Sequence, residues 1–476
     1  MIGLVLLLPI VLGLWSVFVN NTSVNRIALI GSAASYAIIT ALRWMNIDWT
    51  LLPAPLLPYF QFDTIGLYFF SIMTIVFCSA AVYSLFYFKI HEFSAKQEAV
   101  YILEILLFVV SMSGVILTTH LALLWVFIEA STLTSAMLIY FEKKKSSLEA
   151  AWKYVFICSI GIALAFVGII VLSIGSRHID SLFFKDLYAR ASDINPFWLK
   201  VSFAFIFVGL GTKIGIAPIH AWLPDAHSEA PSPVSALLSG ALLNSAFLGL
   251  LRVQEIFIHA RLEYFSNFLF LITGFLSLMV SSVFMLRLKN YKRMLAYSSI
   301  ENMGILFIGI ALGKYGIFAA LLHTLAHSLS KASLFLTSGN ILHLYNSKRI
   351  DDVNGLLKTD PRTGWLWIIS MLAIIGFPPF PVFITKFLIV RAFWFSGMFW
   401  LAIPFFLFIV VIMYGMGGTV FKMAFGDPQG ANAEKNKMTA WAYIPQIVLL
   451  FVLCIIGLNM PKQLIDLING AFKFFK

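Results

Sequence analysis

Long apolar runs separated by short, mostly basic loops set the plan of this chain. Each run is about 20 residues long, the length of a helix across a bilayer. The ten-residue alternation expected of a membrane barrel is absent. The runs predict about fourteen helical spans. They lie near 2–20, 26–43, 63–88, 98–117, 119–141, 149–175, 199–221, 232–254, 265–287, 293–313, 316–344, 365–391, 398–422 and 439–460. The expected fold class is therefore all-α, a polytopic membrane protein with a single membrane domain over 1–476. The first run lacks a basic leader and a small-residue cleavage site, so it reads as a retained span. The long loop 176–198 holds Arg177, Asp180, Lys185, Asp186, Arg190 and Asp193 and is expected to carry a short surface helix. No soluble domain and no long lateral helix are expected after the last span.

Two runs interrupt themselves. In GTKIGIAPIHAWLPDAHSEAPSP, 211–233, an apolar helix meets Gly211, Lys213, Gly215 and Pro218. Proline lacks a backbone N–H and clashes with the preceding turn, so the helix is expected to break near Pro218. In IIGFPPFPVFITKFLI the same happens near Pro378, with Pro379, Pro381 and Lys386 following. Broken helices are tolerated in membranes where they line a polar cavity, and transporters use them for ion sites. The two breaks lie an odd number of spans apart, so they would cross in opposite senses. That predicts two inverted five-helix repeats, 98–254 (spans 4–8) and 265–422 (spans 9–13).

Composition sharpens this picture. The chain is 60% hydrophobic and only 12% charged, against about 25% charged in soluble domains. The net charge of +11 does not signal nucleic acid, because the basic residues sit in loops between apolar runs. Loops on one side hold Arg26, Lys89, Lys96, Lys143–Lys145, Arg287, Lys289, Lys292, Arg293, Lys348, Arg349, Lys358, Arg362, Lys422, Lys435 and Lys437. The side with the termini holds fewer, including Arg43, Arg177, Lys185, Arg252, Lys314 and Lys476. The bias places both termini outside, with the chain in an inner (plasma) membrane. Lys153, Lys213, Lys331 and Lys386 remain as lysines within spans. Cys78, Cys158 and Cys454 stand alone in apolar runs and cannot hold an iron–sulfur cluster by themselves. No cofactor or metal is expected in this chain.

Ionisable groups at membrane depth mark function unless they find structural partners. Glu129 lies mid-span with Thr132 and Thr134 nearby. An unpartnered buried carboxylate would be neutral, whereas one beside an ammonium stays charged; Lys213 is the expected partner. His323, His327 and Lys331 follow at four-residue steps and form one polar stripe on a helix. Histidine passes protons near neutral pH. The rival is a metal site, but the HExxH pattern is missing, with Thr324, Leu325 and Ala326 between the histidines. Glu301 is either a relay group or structural. Lys153 either snorkels to the surface or tunes Glu129. His220 and Asp225, with His227 and Glu229, form either a proton uptake mouth or caps for the next helix. Asn244 is polar mid-span but cannot titrate.

The stretch Gly211–His227 with the following EAPSPVSALL resembles the signature of the proton-translocating antiporter-like membrane subunits. These occur in respiratory complex I, Mrp cation/proton antiporters and membrane-bound nickel–iron hydrogenases. LWVFIE ending at Glu129, KRMLAYSS from Lys292, the His323–Lys331 stripe and GFPPF from Gly376 carry the same resemblance. Within the family, SPVSALLSGALLN is most similar to the F component of hydrogenase-4-type complexes. The resemblance implies a fourteen-helix fold with inverted repeats and a proton relay through Glu129, Lys213, Lys331 and Lys386. It implies partners too: other membrane subunits and a peripheral redox arm. Many relatives carry a lysine or histidine where this chain has Asn244. The alternatives are a non-pumping membrane anchor, a sodium/proton antiporter and a quinone-reductase subunit.

Overall fold

The computed structural model describes residues 1–49, 52–176, 179, 181–428 and 438–473. Arg177, Asp180, Lys435, Lys437 and Lys476, which entered the loop and orientation arguments, lie outside them. The helices are α1 Ile2–Val19, α2 Thr22–Trp44, α3 Thr64–Ile90, α4 Ala95–Leu117, α5 Leu121–Ile139, α6 Lys145–Gly175, α7 Phe184–Ala189, α8 Pro196–Ile214, α9 Leu223–Glu229, α10 Ser232–Leu237, α11 Leu243–His259, α12 Glu263–Met285, α13 Tyr291–Ala311, α14 Ile317–Tyr345, α15 Leu356–Thr359, α16 Pro361–Ile375, α17 Pro381–Phe395, α18 Ala402–Ala424, α19 Ile444–Leu458 and α20 Lys462–Ala471. Only isolated β-bridges join loops among the described residues.

Each predicted span falls on a helix or a broken pair. By length and hydropathy alone, 11 described helices qualify to cross a membrane, or 12 if α19 and α20, bent by 84°, count as one. The difference from fourteen has a physical cause. The 29-residue α14 is long enough but polar. The predicted span 365–391 is split into two helices of 15 residues each, α16 and α17. The helix after the last span, α20, was not foreseen; it buries Leu464, Ile468 and Ala471. The helix expected in 176–198 is α7, and its Phe184 and Leu187 are buried rather than displayed.

Local signals start the helices where their polar residues fall. Asn21, Asp63, Asn195 and Asn290 accept from backbone N–H groups of the first turn, and Ser94 with Gln97 closes a capping box. In lipid there is little hydrophobic drive between helices, so small residues that admit close backbones decide the packing. A Cβ on Gly209 of α8 would lie 2.5 Å from the Gly161 carbonyl oxygen of α6. The α6–α8 contact is therefore a close backbone seam. The two most buried spans are the one formed by α10 and α11 and the one formed by α13; in each, the apolar window is wholly buried. With α14 they form the centre of the bundle.

Both interrupted helices end on a left-handed glycine, Gly215 at φ 77° and Gly376 at φ 89°. A residue with a Cβ disfavours that conformation. In each case a cis peptide follows, Ala217–Pro218 and Pro378–Pro379. A third irregularity is a π-turn at Leu238–Leu242, between α10 and α11.

Candidate proton pathway

The first break carries Lys213 at the end of α8, fully buried. Its Nζ donates to Thr132 Oγ1 of α5 at 2.8 Å and to the Tyr154 hydroxyl of α6 at 2.5 Å. The Tyr154 ring also lies under the ammonium at 4.8 Å, a favourable cation–π position. Tyr154 continues to Ser135 Oγ at 2.6 Å. Indole Nε1 of Trp222 donates to the Thr212 carbonyl at 2.8 Å, and Ala217 N–H to Ser277 Oγ at 3.0 Å, so the broken backbone is held from both sides.

Glu129 departs from the expected pairing. It makes no ion pair with Lys213; its Oε1 accepts from Ser159 Oγ of α6 at 3.0 Å, while Oε2 is buried without a partner. The reason is helical geometry. Thr132 lies three residues beyond Glu129 on the same face, and its hydroxyl takes the ammonium first. Thr132 and Glu129 thus lie about a turn apart on α5, one holding Lys213 and the other Ser159. Glu129 is only partly buried. Around it run exposed apolar side chains, Val126, Leu133 and Met137 of α5 and Trp152, Phe156 and Ile160 of α6.

The central stripe faces inward as its spacing predicts. His323, His327 and Lys331 are all fully buried. His323 is held at both nitrogens, Nδ1 to Thr385 Oγ1 at 2.7 Å and Nε2 to Asn302 Oδ1 at 2.9 Å. Lys331 Nζ donates to the Leu295 carbonyl of α13 at 2.6 Å. Neither nitrogen of His327 has a hydrogen-bond partner. Asn244 sits beside the stripe and donates to Ser328 Oγ at 2.5 Å and to the Gly240 carbonyl in the π-turn at 2.9 Å.

The second break carries Lys386 on α17, after the interruption. It forms an ion pair with Glu301 of α13 at 3.1 Å and donates to the Ile375 carbonyl, at the broken end of α16, at 3.2 Å. Sequence spacing gave neither residue this partner, because they lie 85 positions apart.

The less central candidates lie at the rim. Lys153 is 47% exposed and pairs with Glu149 at 2.7 Å and Asp225 at 3.3 Å. It snorkels rather than entering the bundle. Asp225 also takes Arg293 at 3.0 Å. His220 is partly buried, with Nδ1 unpartnered and its ring set edge-on to Tyr297.

Two buried groups escape the sequence reading, and a third, His227, is placed by it in a loop, as part of an uptake mouth or a cap. Lys292, counted with the loops, is buried and donates to the Ala230 carbonyl at 3.2 Å. Arg252, also counted with the loops, is buried; it pairs with Asp63 at 3.1 Å and donates to the Thr118 and Ile116 carbonyls. His227 is fully buried with both nitrogens unpartnered, its ring stacked on Phe335 at 4.9 Å. Burial, followed by the charges of Lys331 and Lys292, pushes His227 down to about 3, so it rests neutral. The available signal was the helix cap: Asn290 starts α13, which puts Lys292 in the first turn of a buried helix.

Among the described residues, no group of three or more His, Cys, Asp or Glu side chains is arranged to hold a metal ion. The three cysteines are free and apart.

The fold and this line of groups define an antiporter-like membrane subunit. Residues 118–413 match the model of the family described as NADH:quinone oxidoreductase/Mrp antiporter, transmembrane, and the chain belongs to that family. A curated relative, the hydrogenase-4 component F homolog of Methylacidiphilum infernorum (isolate V4), is 31% identical over 359 residues, which cover 73% of this chain and 74% of that protein. The fold is shared with a chain of the membrane-bound sulfane sulfur reductase, an archaeal respiratory membrane complex. That match has a TM-score of 0.89 at 23% identity and covers 100% of this chain and 97% of the other. A chain of the Mrp complex from Dietzia sp. DQ12-45-1b superposes with a TM-score of 0.86 at 18% identity, covering 99% and 96%.

Proposed function

We propose that this chain is a proton-translocating membrane subunit of a redox-driven complex, a membrane-bound hydrogenase by its kinship with component F. The observation that carries the reading is the set of buried titratable side chains, Lys213, His323, His327, Lys331 and Lys386, inside an otherwise apolar bundle. Such groups are costly at membrane depth and persist where they are used. Sodium sites in transporters are built from carbonyl oxygens and helix ends, whereas this line is made largely of nitrogens, which favours the proton.

In this reading Glu129 modulates Lys213. Withdrawing or neutralising the carboxylate removes a charge that favours the ammonium, and Lys213 releases its proton toward the central stripe. Lys331 and the histidines pass it to the Lys386–Glu301 pair, which releases it on the far side. Moving one charge across 100 mV takes about 2.3 kcal/mol, a size that altered pairing of buried charges can supply. The exposed apolar face around Glu129 suits a neighbouring membrane subunit, whose movement would be the external event. In this reading electron transfer is carried by partner chains. The repeats 98–254 and 265–422 remain part of this reading, supported by the matched left-handed glycines at the two breaks. So does an inner-membrane location with the termini outside, supported by the loop charges.

The test is proton uptake by vesicles carrying the whole complex. Glu129→Ala and Lys213→Ala each abolish uptake while the complex assembles and still oxidises its donor. Full pumping by Lys213→Ala overturns the assignment.

A further inference from the structure

The relay read above names no group that takes a proton from the basic face into the middle of the stripe. Lys213 bonds to α5 and α6, and Asn244, beside the stripe at Ser328, cannot titrate. Yet two buried titratable side chains stand between the basic surface and Lys331, and the mechanism leaves both unused.

Lys292 enters from α13. Among the described residues its side chain donates to one acceptor, the Ala230 carbonyl, three residues beyond His227. Above it lies a ring of charged groups at the surface. Glu229 pairs with Lys348 at 3.0 Å and accepts from Ser146 at 2.8 Å. Glu142 pairs with Lys144 at 2.5 Å and accepts from the Tyr87 hydroxyl at 2.9 Å. The charges of Lys348, Glu142, Glu229 and Lys144 all bear on Lys292. Below it, the charges of Lys292 and Lys331 both bear on His227. His327 in turn feels Lys331, His323 and His227. Each group thus lies within electrostatic reach of the next, and the Leu295 carbonyl that holds Lys331 is one turn along α13 from Lys292. An unpartnered, fully buried imidazole is expensive to keep. Here both ring nitrogens stay open, one for taking a proton and one for giving it.

We propose that Lys292 and His227 form a proton inlet from the basic face that feeds Lys331 directly. This rests on the reading of the chain as a proton-translocating subunit. In the transfer, the Lys292 ammonium gives a proton to one imidazole nitrogen of His227, and the other nitrogen gives its proton to the neutral amine of Lys331. Lys292 is reprotonated from the surface ring through Glu229 or Glu142. One proton enters and one arrives; nothing is oxidised or reduced.

The experiment measures proton uptake with a pH-sensitive dye in vesicles carrying the intact complex, with donor oxidation followed in parallel to confirm assembly. Lys292→Arg is the decisive variant. Arginine keeps the charge and can still donate to Ala230, but it does not deprotonate in proteins. A purely structural Lys292 is rescued by arginine; an inlet Lys292 is not. Lys292→Arg and His227→Gln are each expected to slow uptake about a hundredfold, the usual worth of a positioned proton-transfer group. The double variant is no slower than either single one, because both interrupt the same path. Normal uptake in Lys292→Arg overturns the inlet, and so do losses that multiply in the double variant. Lys213→Ala is run alongside. If it pumps fully, the underlying reading fails; if it stops while the inlet variants pump normally, only the inlet fails.

Discussion

The two broken helices solve one problem in opposite ways. At the first, Lys213 precedes its break and is held by neutral hydroxyls, Thr132 and Tyr154, with its nearest carboxylate engaged elsewhere. At the second, Lys386 follows its break and is locked to Glu301 and to a freed helix carbonyl. A buried ammonium among hydroxyls keeps its hydrogen bonds whether or not it carries the extra proton, since hydroxyls both donate and accept. A buried ion pair resists losing either charge, because the remaining one is stranded. The first site is thus suited to give up a proton on a modest stimulus. In the proposed relay the second acts as a latch that opens when a proton arrives to neutralise Glu301.

The largest effect that tests this contrast is on stability. Lys386→Met strands Glu301 and is expected to cost about 3–5 kcal/mol, seen as a lower melting temperature of the complex in detergent. Lys386→Met with Glu301→Gln restores most of it. Equal destabilisation by Lys213→Met would erase the distinction between the sites. Next in size, Thr132→Val and Tyr154→Phe each remove one hydrogen bond to a charged group, worth about 1.5–3 kcal/mol. Both are expected to slow proton uptake more than they lower the melting temperature. Ser159→Ala removes the one hydrogen bond to Glu129 Oε1 and frees the carboxylate to approach Lys213. Its expected signature is slower uptake with unchanged donor oxidation. The smallest effect belongs to Lys153→Ala. Its ion pairs are solvent-exposed and such pairs contribute little, so uptake and melting should not change measurably; a marked loss of uptake would return Lys153 to the pathway.

The spans and both breaks were legible in the sequence because they depend on local facts: apolar length, a missing N–H at proline, and glycine before it. The stripe of α14 was legible for the same reason, since helical periodicity alone aligns His323, His327 and Lys331. What stayed hidden was set by tertiary packing. Nothing local joins Lys386 to Glu301. Nothing in the run of apolar residues says that Thr132 will reach Lys213 before Glu129 does. Lys292 and Arg252 read as loop charges because they lie at the edges of apolar runs, yet their helix ends are tucked into the bundle. His227 reads as part of an uptake mouth or a helix cap, and only the fold brings Phe335 against its ring.

The close approach of Gly209 to Gly161 has a kinetic meaning. Two backbones in direct touch resist sliding past each other, so α8 is coupled to α6 and the two would shift as one unit. In the proposed relay the parts that reorient without disturbing this seam are hydroxyl rotors, imidazole rings and the stems of lysines. Such parts reorient far faster than domains do, which leaves the pace of the device to whatever happens at its edges.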